Sequence, residues 1–198
     1  RYQCKHEIDI LQKLNKENKK NKYPIIQFFG FFEYQNHFCL IFELLSDVNL
    51  MELLKKTKYK GLELKNVKKF SRQIALAIKY IHKHNYIHCD LKPQNIVMVN
   101  ARKCKIKILD FGISRKNEAK NNYFLVQTLY YRAPEIFEKK NYNQEIDIWS
   151  FGCIIAELYT GFPFIYGKDE KKQYELILNV KKLINEIKSK NNDNLNNL

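Results

Sequence analysis

The residues whose types and spacing could do chemistry lie in one short segment that contains Asp90, Lys92 and Asn95. Pro93 lies between them and disfavours a helix, so a carboxylate, an ammonium group and an amide share one rigid turn. Phosphoryl transfer uses such a set: a base for a hydroxyl proton, a cation for the moving phosphoryl charge, and an amide oxygen for Mg²⁺. The segment therefore predicts a phosphotransfer site.

A second carboxylate, Asp110, follows a strand-like run and directly precedes Phe111 and Gly112. Taken alone, such an Asp is more often a turn residue than a ligand. Together with Asp90 and Asn95, however, it is expected to supply a second metal contact. Gly112 is expected to permit the sharp backbone turn that follows.

Apolar residues at helical spacing predict the helices that position these segments. Long helices are expected over 2–16, 65–84 and 146–159, and a short helix is expected between the capping residue Asn49 and Lys56. The last long helix is strongly apolar and is expected to end at Gly161 and Pro163. From Lys181 the chain alternates Lys and Asn, which predicts a frayed or disordered tail.

Two β-hairpins are predicted from runs rich in β-branched and aromatic residues. The first joins 25–34 to 38–45 through the turn-forming pair Gln35 and Asn36, and the second joins 96–99 to 106–109. Aromatic residues of the first hairpin are interpreted as sheet core rather than as a base-stacking surface, namely Phe28, Phe29, Phe31 and Phe32. The irregular stretch 112–134 is long for a connection, and such loops are usually functional or mobile.

The composition limits the classes of function. The chain has 35 Lys and Arg against 21 Asp and Glu, a net charge of +14 that suits nucleic acid, a membrane surface or an anionic substrate. Only five of these residues are Arg, the side chain that nucleic-acid recognition favours, so nucleic-acid binding is disfavoured. No apolar run approaches the roughly 18 residues of a membrane span. The five cysteines are odd in number and far apart, which predicts reduced thiols and an intracellular location.

Four motifs in register resemble the protein kinase family: H-x-D-L-K-P-x-N at 88–95, D-F-G at 110–112, A-P-E at 133–135 and DIWSFG at 147–152. The resemblance covers about residues 1–180. It implies an α+β, protein-kinase-like fold with a small, partial β-containing N-lobe over 1–45. A mainly helical C-lobe is expected over 46–180, followed by the Lys/Asn-rich tail 181–198.

The resemblance implies a role for each motif residue, with ATP and Mg²⁺ as cofactors. Asp90 is expected to be the catalytic base and Lys92 the phosphate-neutralising residue of Ser/Thr kinases, while Asn95 and Asp110 are expected to bind Mg²⁺. Asp147 is expected to brace the backbone of the catalytic loop. His88 is interpreted as structural and Cys89 as a small buried residue rather than a reactive thiol.

The nucleotide pocket is implied by the same resemblance. Glu7 occupies the place of the family's first-helix Glu, whose partner is a strand Lys further upstream. Phe42 is similar to the gatekeeper, Glu43 and Leu45 are similar to the backbone contacts of adenine, and Val97 is expected to lie beneath the ring. Read without the resemblance, Glu7 could equally be an ordinary solvated charge.

Finer features are similar to the dual-specificity tyrosine-regulated (DYRK) branch of the CMGC group. These are HCDLKPQN, HFCLIFELL and a Y-x-x-x-Q-x-x-Y-Y-R segment that ends at Arg132. Members of that branch phosphorylate Ser/Thr of protein substrates, often near Pro, and autophosphorylate a loop Tyr. The family's Tyr pair falls here on Tyr123 and Leu125, and an Arg that would help to hold the phosphate is Leu129. Loop tyrosine phosphorylation is therefore expected to be abandoned.

The remaining activation-segment residue implied by the resemblance is Thr128, expected to contact the catalytic loop. The sequence before Glu7 contains no Gly-rich loop and no strand Lys, so the chain is expected to be a fragment of a longer kinase. The alternatives are a truncated kinase or a pseudokinase that acts as an interaction module. A basic nucleic-acid-binding domain is a third possibility, which lacks the expected Arg-rich aromatic face.

Overall fold

A computed structural model of the chain describes residues 2–100, 103–118 and 124–195. The helices in these ranges are α1 (Tyr2–Glu17), α2 (Leu50–Lys56), α3 (Leu64–Lys83), α4 (Pro134–Phe137), α5 (Glu145–Thr160) and α6 (Glu170–Leu195). The strands are β1 (Phe28–Tyr34), β2 (His37–Phe42), β3 (Tyr86–Ile87), β4 (Ile96–Asn100), β5 (Lys103–Ile108) and β6 (Arg115–Lys116). The predicted α+β class is confirmed, whereas the predicted domain boundaries stay a prediction.

The predicted helices form close to their expected bounds. The Asn49 side chain accepts a hydrogen bond from the Glu52 N–H at 2.9 Å and so caps the start of α2. Helix α5 ends where Gly161 adopts a left-handed conformation with φ of 92°, as Gly does readily at helix ends. No helix in the described ranges is long and apolar enough to cross a membrane.

Both predicted hairpins form, and each strand pair is antiparallel. Strands β1 and β2 are joined by Gln35 and Asn36, whose φ angles of 46° and 63° are those of a tight hairpin turn. Strands β4 and β5 pair Ile96 with Ile108. The third sheet pairs β3 with β6 and contains only two residues on each strand. It joins β3, which directly precedes His88, to the irregular stretch 112–134.

One continuous hydrophobic core joins α1, α3, α5 and the β4–β5 hairpin. Its fully buried members include Leu11, Ile74, Phe111 and Leu158. A smaller cluster lies beneath the irregular stretch and includes Cys89, Val126 and Ile146. The catalytic-loop segment therefore lies between two packed clusters, which fix its backbone from both sides.

The prediction that the aromatic residues of β1 form sheet core was wrong for three of the four. Phe28 is buried, but Phe29, Phe31 and Phe32 are 61%, 45% and 51% exposed. Aromatic composition indicates a strand, but it does not indicate whether a second layer covers it. Within the described ranges this sheet has only two strands, so much of its surface stays uncovered.

The predicted disorder after Lys181 was also wrong, because α6 continues through this region to Leu195. The helix is anchored at its start, where Ile177 and Gln173 are fully buried and the Tyr174 ring stacks on Phe137 with centroids 5.5 Å apart. Lys and Glu propagate a helix well once it is nucleated. The low-complexity composition of 181–198 had indicated disorder, although its Lys and Glu residues favour a helix.

Candidate active site

The catalytic-loop segment is fixed by one buried carboxylate on α5. Asp147 accepts hydrogen bonds from the N–H groups of His88 and Cys89 at 2.8 and 3.0 Å. It also lies 2.8 Å from the His82 ring nitrogen at the end of α3. Because Asp147 is fully buried, water screens these electrostatic contacts little, and each hydrogen bond is stronger than it would be at the surface. The geometry is that expected of a residue that braces the loop backbone.

His88 and Cys89 are packed inside the protein, as interpreted from the sequence. The His88 Nε2 lies 3.0 Å from the Leu109 carbonyl oxygen, and its Nδ1 lies 3.2 Å from the Asp90 backbone nitrogen, so both ring nitrogens are engaged by the backbone and the ring is structural. Burial, together with the nearby Asp147 charge, raises the pKa of the Cys89 thiol well above its usual value. Neither side chain contributes a reactive group.

Asp90 is a buried carboxylate held at both oxygens. Its Oδ1 accepts a hydrogen bond from the Thr128 hydroxyl at 2.7 Å, and its Oδ2 accepts one from the Lys92 ammonium at 2.6 Å. Burial opposes the negative charge, but these two hydrogen bonds and the Lys92 charge outweigh it and lower the Asp90 pKa. Asp90 is therefore ionised at neutral pH and faces the groups expected of a catalytic base.

Asn95 is oriented by the same carboxylate. Its Nδ2 donates to the Asp90 carbonyl at 2.9 Å and to Asp90 Oδ2 at 3.2 Å. Both amide hydrogens are thereby engaged, and the amide oxygen points away from Asp90. The Leu109 N–H donates to the Asn95 carbonyl at 2.9 Å, so the start of β4 lies beside the end of β5. This pairing brings Asn95 next to the segment that carries Asp110.

Asp110 turns its carboxylate towards a cavity while Phe111 enters the core. The predicted turn at Gly112 is confirmed, since the Ser114 N–H donates to the Phe111 carbonyl at 3.1 Å across Gly112 and Ile113. Asp110, just before it, has a left-handed φ of 64°. Asp tolerates this left-handed conformation because its side chain bonds the local backbone, here the Gly112 N–H at 3.3 Å. Phe111 is fully buried and meets the His88 ring edge-on at 5.1 Å.

A cavity of about 380 Å³ lies between the β1–β2 hairpin and the β4–β5 hairpin. All six residues predicted to bind the cofactor line it: Glu7, Phe42, Glu43, Leu45, Val97 and Asp110. Within the described part of the chain, the main-chain N–H and C=O of Leu45 make no hydrogen bond. The cavity thus offers apolar walls, the free peptide groups of Leu45, and carboxylates, two of which, on Glu7 and Asp110, form what is called here its acidic end.

Glu43 has a partner that the sequence did not suggest. Its carboxylate accepts a hydrogen bond from the Gln27 N–H at 2.6 Å and forms an ion pair with Lys107 on β5. Lys107 is 5% exposed and also donates to the Asn21 side chain at 2.6 Å. The cavity wall is therefore tied to β5 by a buried ion pair. The two residues are far apart in sequence, and no motif connects them.

Glu7 lies on α1 at the acidic end of the cavity. Its carboxylate accepts a hydrogen bond from the Phe111 N–H at 3.3 Å. Burial and the nearby Asp110 charge raise the Glu7 pKa. Among the described residues, no Lys or Arg forms an ion pair with it. The structure thus joins Glu7 to the D-F-G segment but supplies no cation for it.

The activation segment is the irregular stretch 112–134, of which the structure describes 112–118 and 124–134, and the predicted residue Tyr123 lies outside the described residues. Thr128 reaches the catalytic loop, since its hydroxyl contacts both Asp90 and Lys92. Arg132 donates from Nε and Nη2 to the Gln127 carbonyl and from Nη1 to Glu170. The structure thus brings Thr128 to Asp90, and it links Arg132 to Gln127, the residue before Thr128.

Two further residues, Gln127 and Tyr131, anchor the segment to α5, and sequence reasoning gave neither of them a role. The buried Gln127 side chain donates to the Ile146 carbonyl and to the Ser150 hydroxyl, each at 2.8 Å. Tyr131 donates its hydroxyl hydrogen to the buried Glu157 carboxylate at 2.6 Å. The Gln of the Y-x-x-x-Q pattern was the only available signal.

A carboxylate bonded by an ammonium group and a threonine lies next to an amide turned by the same carboxylate and beside an acidic cavity, and these are the kinds of group that phosphoryl transfer uses. The sequence profile of the protein kinase domain matches residues 2–197, nearly the whole chain. The chain belongs to the protein kinase domain family.

Within that family the chain is DYRK-like. It is 43% identical over 171 residues to human dual specificity tyrosine-phosphorylation-regulated kinase 3, which covers 86% of the chain and 29% of that relative. It is 40% identical over 174 residues to human kinase 4 of the same name, covering 88% of the chain and 33% of the relative. It is 40% identical over 176 residues to the mbk-2 kinase of Caenorhabditis elegans, covering 89% and 21%. The chain thus spans a third or less of these relatives.

Proposed function

We propose that this chain provides the catalytic loop, activation segment and part of the ATP site of a DYRK-like protein kinase. The reaction is transfer of the γ-phosphoryl group of ATP to a Ser or Thr hydroxyl of a protein substrate. The observation that carries this proposal is the Asp90 carboxylate, bonded at Oδ2 by Lys92 and at Oδ1 by Thr128 and kept ionised by them.

In this proposal Asp90 orients the substrate hydroxyl and accepts its proton. Three hydrogen bonds, from Lys92, Thr128 and Asn95, fix the carboxylate without using all of its roughly four lone-pair sites, so it can still accept a hydrogen bond from a substrate. Its lowered pKa keeps it deprotonated, as a base must be before it acts. The Lys92 ammonium lies 2.6 Å from the same carboxylate and offsets charge on the oxygens of the transferred group.

Asn95 and Asp110 are the residues proposed to hold Mg²⁺. The donor set fits this ion, since Mg²⁺ prefers carboxylate and amide oxygens and is usually bound by few protein ligands. The Asn95 amide hydrogens are both taken by Asp90, which leaves its oxygen as the free atom of the amide. When bound, the ion neutralises phosphate charge. Asp110 presents its exposed carboxylate to the same cavity.

The cavity is proposed to hold the adenine and ribose of ATP. Its volume of about 380 Å³ lies in the usual range of small-molecule sites. The unbonded peptide groups of Leu45 match the hydrogen-bonding edge of adenine, and Phe42 and Val97 supply apolar contacts. Proposed substrates are intracellular proteins phosphorylated on Ser or Thr, including sites near Pro. The partial N-lobe over 1–45 and C-lobe over 46–180 belong to the same proposal.

A pseudokinase that acts as an interaction module is the second candidate. One observation favours it: Leu125 stands where the family resemblance places the second loop Tyr, so the segment lacks that phosphorylation site. Against it stand Asp90, Asn95 and Asp110, all of them in place. The two candidates differ in phosphotransfer, not in nucleotide binding.

The test measures phosphotransfer to a Ser/Thr peptide by the complete protein. Asp90→Asn and Asp110→Ala are each expected to reduce kcat by a factor of at least about 100, because each removes a group that acts in the transition state. Asp9→Asn, an exposed carboxylate on α1, is the matched control and is expected to retain full activity. Activity above a few per cent in either active-site variant would contradict the assigned role. ATP binding without phosphotransfer in the wild type would favour the pseudokinase.

A further inference from the structure

Arg132 is a buried cation in the activation segment. It is 8% exposed, and its Nε and Nη2 donate to the Gln127 carbonyl at 3.2 and 3.1 Å. The guanidinium also lies 5.3 Å from the centre of the Phe137 ring. Carbonyl and aromatic contacts orient the group but do not neutralise it. A buried guanidinium requires an anion, because water no longer solvates the charge.

Glu170, the first residue of α6, supplies that anion. Its Oε1 lies 2.6 Å from Arg132 Nη1, and no other carboxylate in the described part of the chain pairs with Arg132. A carboxylate in the first turn of a helix also interacts favourably with the helix dipole. The Glu170 side chain is 62% exposed, so it gives up little of its own hydration to form the pair. The cost of burying Arg132 is thus offset from α6.

The pair acts on the catalytic loop through only a few contacts. Arg132 holds the carbonyl of Gln127, and the next residue, Thr128, bonds both Asp90 and Lys92. Gln127 has φ of 68°, a conformation that is strained for a side-chain-bearing residue and persists only where contacts impose it. Arg132 provides two of those contacts. Releasing Arg132 would therefore loosen the position of Thr128 relative to Asp90.

Within the described residues, the anion beside Arg132 is the Glu170 carboxylate of α6. Arg132 and Glu170 line a cavity of about 490 Å³ together with Leu125, which is 66% exposed. Leu125 has no group that can be phosphorylated. The arrangement of the described segment is thus complete with unmodified side chains.

We propose that Glu170 is a positioning residue that, by pairing with Arg132, holds the activation segment in its catalytic arrangement without phosphorylation of the segment. This inference rests on the proposed kinase function, since it concerns how the same site is kept in order. Glu170 itself touches neither the substrate nor the cofactor. Its effect reaches Asp90 through Arg132, Gln127 and Thr128.

The first measurement compares Glu170→Gln with wild type in the complete protein, using steady-state phosphotransfer to a Ser/Thr peptide. We expect kcat/KM for the peptide to fall about tenfold, the usual size of a charge-assisted hydrogen bond, while KM for ATP stays within about twofold. The matched control is Glu175→Gln, an exposed carboxylate on the same helix that pairs only with Lys172 among the described residues. That variant is expected to match wild type.

The second measurement restores the anion from another position. Leu125→Glu in the Glu170→Gln background places a carboxylate on the same cavity wall, and it is expected to recover kcat/KM to within about threefold of wild type. Phosphatase treatment of the wild-type protein is expected to leave kcat/KM unchanged. A large loss of activity after phosphatase treatment would overturn the proposal, because it would show that a loop phosphate is needed.

Hydrogen–deuterium exchange separates this proposal from the kinase assignment, since it requires no activity. Amides of 124–133 are expected to exchange at least about tenfold faster in Glu170→Gln than in wild type or Glu175→Gln. Unchanged exchange and unchanged kcat/KM in Glu170→Gln would refute the role of Glu170. If the wild type is inactive but Glu170→Gln still speeds exchange in the segment, the kinase function is refuted, whereas the positioning role of Glu170 is supported. Glu170→Gln could instead speed exchange throughout the chain. In that case the role of Glu170 is also refuted if adding Leu125→Glu to Glu170→Gln does not slow exchange of amides 124–133.

Discussion

The Lys107→Met substitution removes the cation of the buried ion pair in the wall of the proposed ATP cavity. Methionine fills a similar volume, so the main effect is to leave the Glu43 carboxylate enclosed without its partner. Removing one member of a buried pair costs about 3–5 kcal/mol. Glu43 keeps the hydrogen bond from the Gln27 N–H and is 15% exposed, so we expect the lower end, about 3 kcal/mol.

This loss corresponds to a fall in melting temperature of about 6–12 °C for a domain of this size. Calorimetry of the complete protein measures it. Because Glu43 also lines the cavity, KM for ATP is expected to rise about fivefold, as small displacements of positioning groups commonly do. Steady-state kinetics at saturating peptide measure that change.

The control is Lys105→Met, which removes an exposed lysine two residues earlier on the same strand and is expected to change the melting temperature by less than about 2 °C. The double variant Lys107→Met with Glu43→Gln removes both charges and is expected to recover at least half of the lost stability. If Lys107→Met melts like Lys105→Met, or if the double variant is less stable than Lys107→Met, the ion pair does not hold the cavity wall.

Two further predictions follow from the hydrogen bonds of Thr128 and Tyr131. Thr128→Val removes the 2.7 Å hydrogen bond that helps to lower the Asp90 pKa, so the acid limb of the kcat/KM profile is expected to move to higher pH, and an unmoved limb would contradict that cause. Burial raises the pKa of Glu157, which makes the folded state less stable as pH rises above the ordinary Glu value, and Tyr131 opposes this by donating a hydrogen bond. Tyr131→Phe is therefore expected to lower the unfolding free energy by about 2 kcal/mol at pH 7 and by less at pH 5. Chemical denaturation at the two pH values would measure both losses. An equal loss at the two pH values would argue against a charged Glu157.

The sequence predicted best those features that depend on neighbours in the chain. Asp90, Lys92 and Asn95 come together because one short turn holds them, and β4 and β5 pair because apolar runs flank a short connection. The cap at Asn49 and the helix end at Gly161 are equally local. The family resemblance added Thr128 and Asp147, whose contacts with the loop span many residues.

The features that sequence reasoning missed depend on distant partners. No sequence pattern marks the Lys107–Glu43 pair or the Arg132–Glu170 pair. The chain contains many basic and acidic side chains, and the sequence does not indicate which of them come together in the fold. The exposure of Phe29 depends on whether another layer covers β1, which strand composition does not reveal. The left-handed φ of Asp110 was not predicted, because glycine is the commoner left-handed residue and Gly112 lies two positions later.

Asp147 also determines how the catalytic loop responds to thermal fluctuations. The loop is irregular in conformation, and irregular segments usually open locally with little cost. Here its N–H groups at His88 and Cys89 are bonded by the buried Asp147 of α5, which also contacts His82 of α3. The loop therefore belongs to the same cooperative unit as α3 and α5. Its geometry is lost only when that unit unfolds, so moderate heating changes the number of competent molecules rather than the quality of each site.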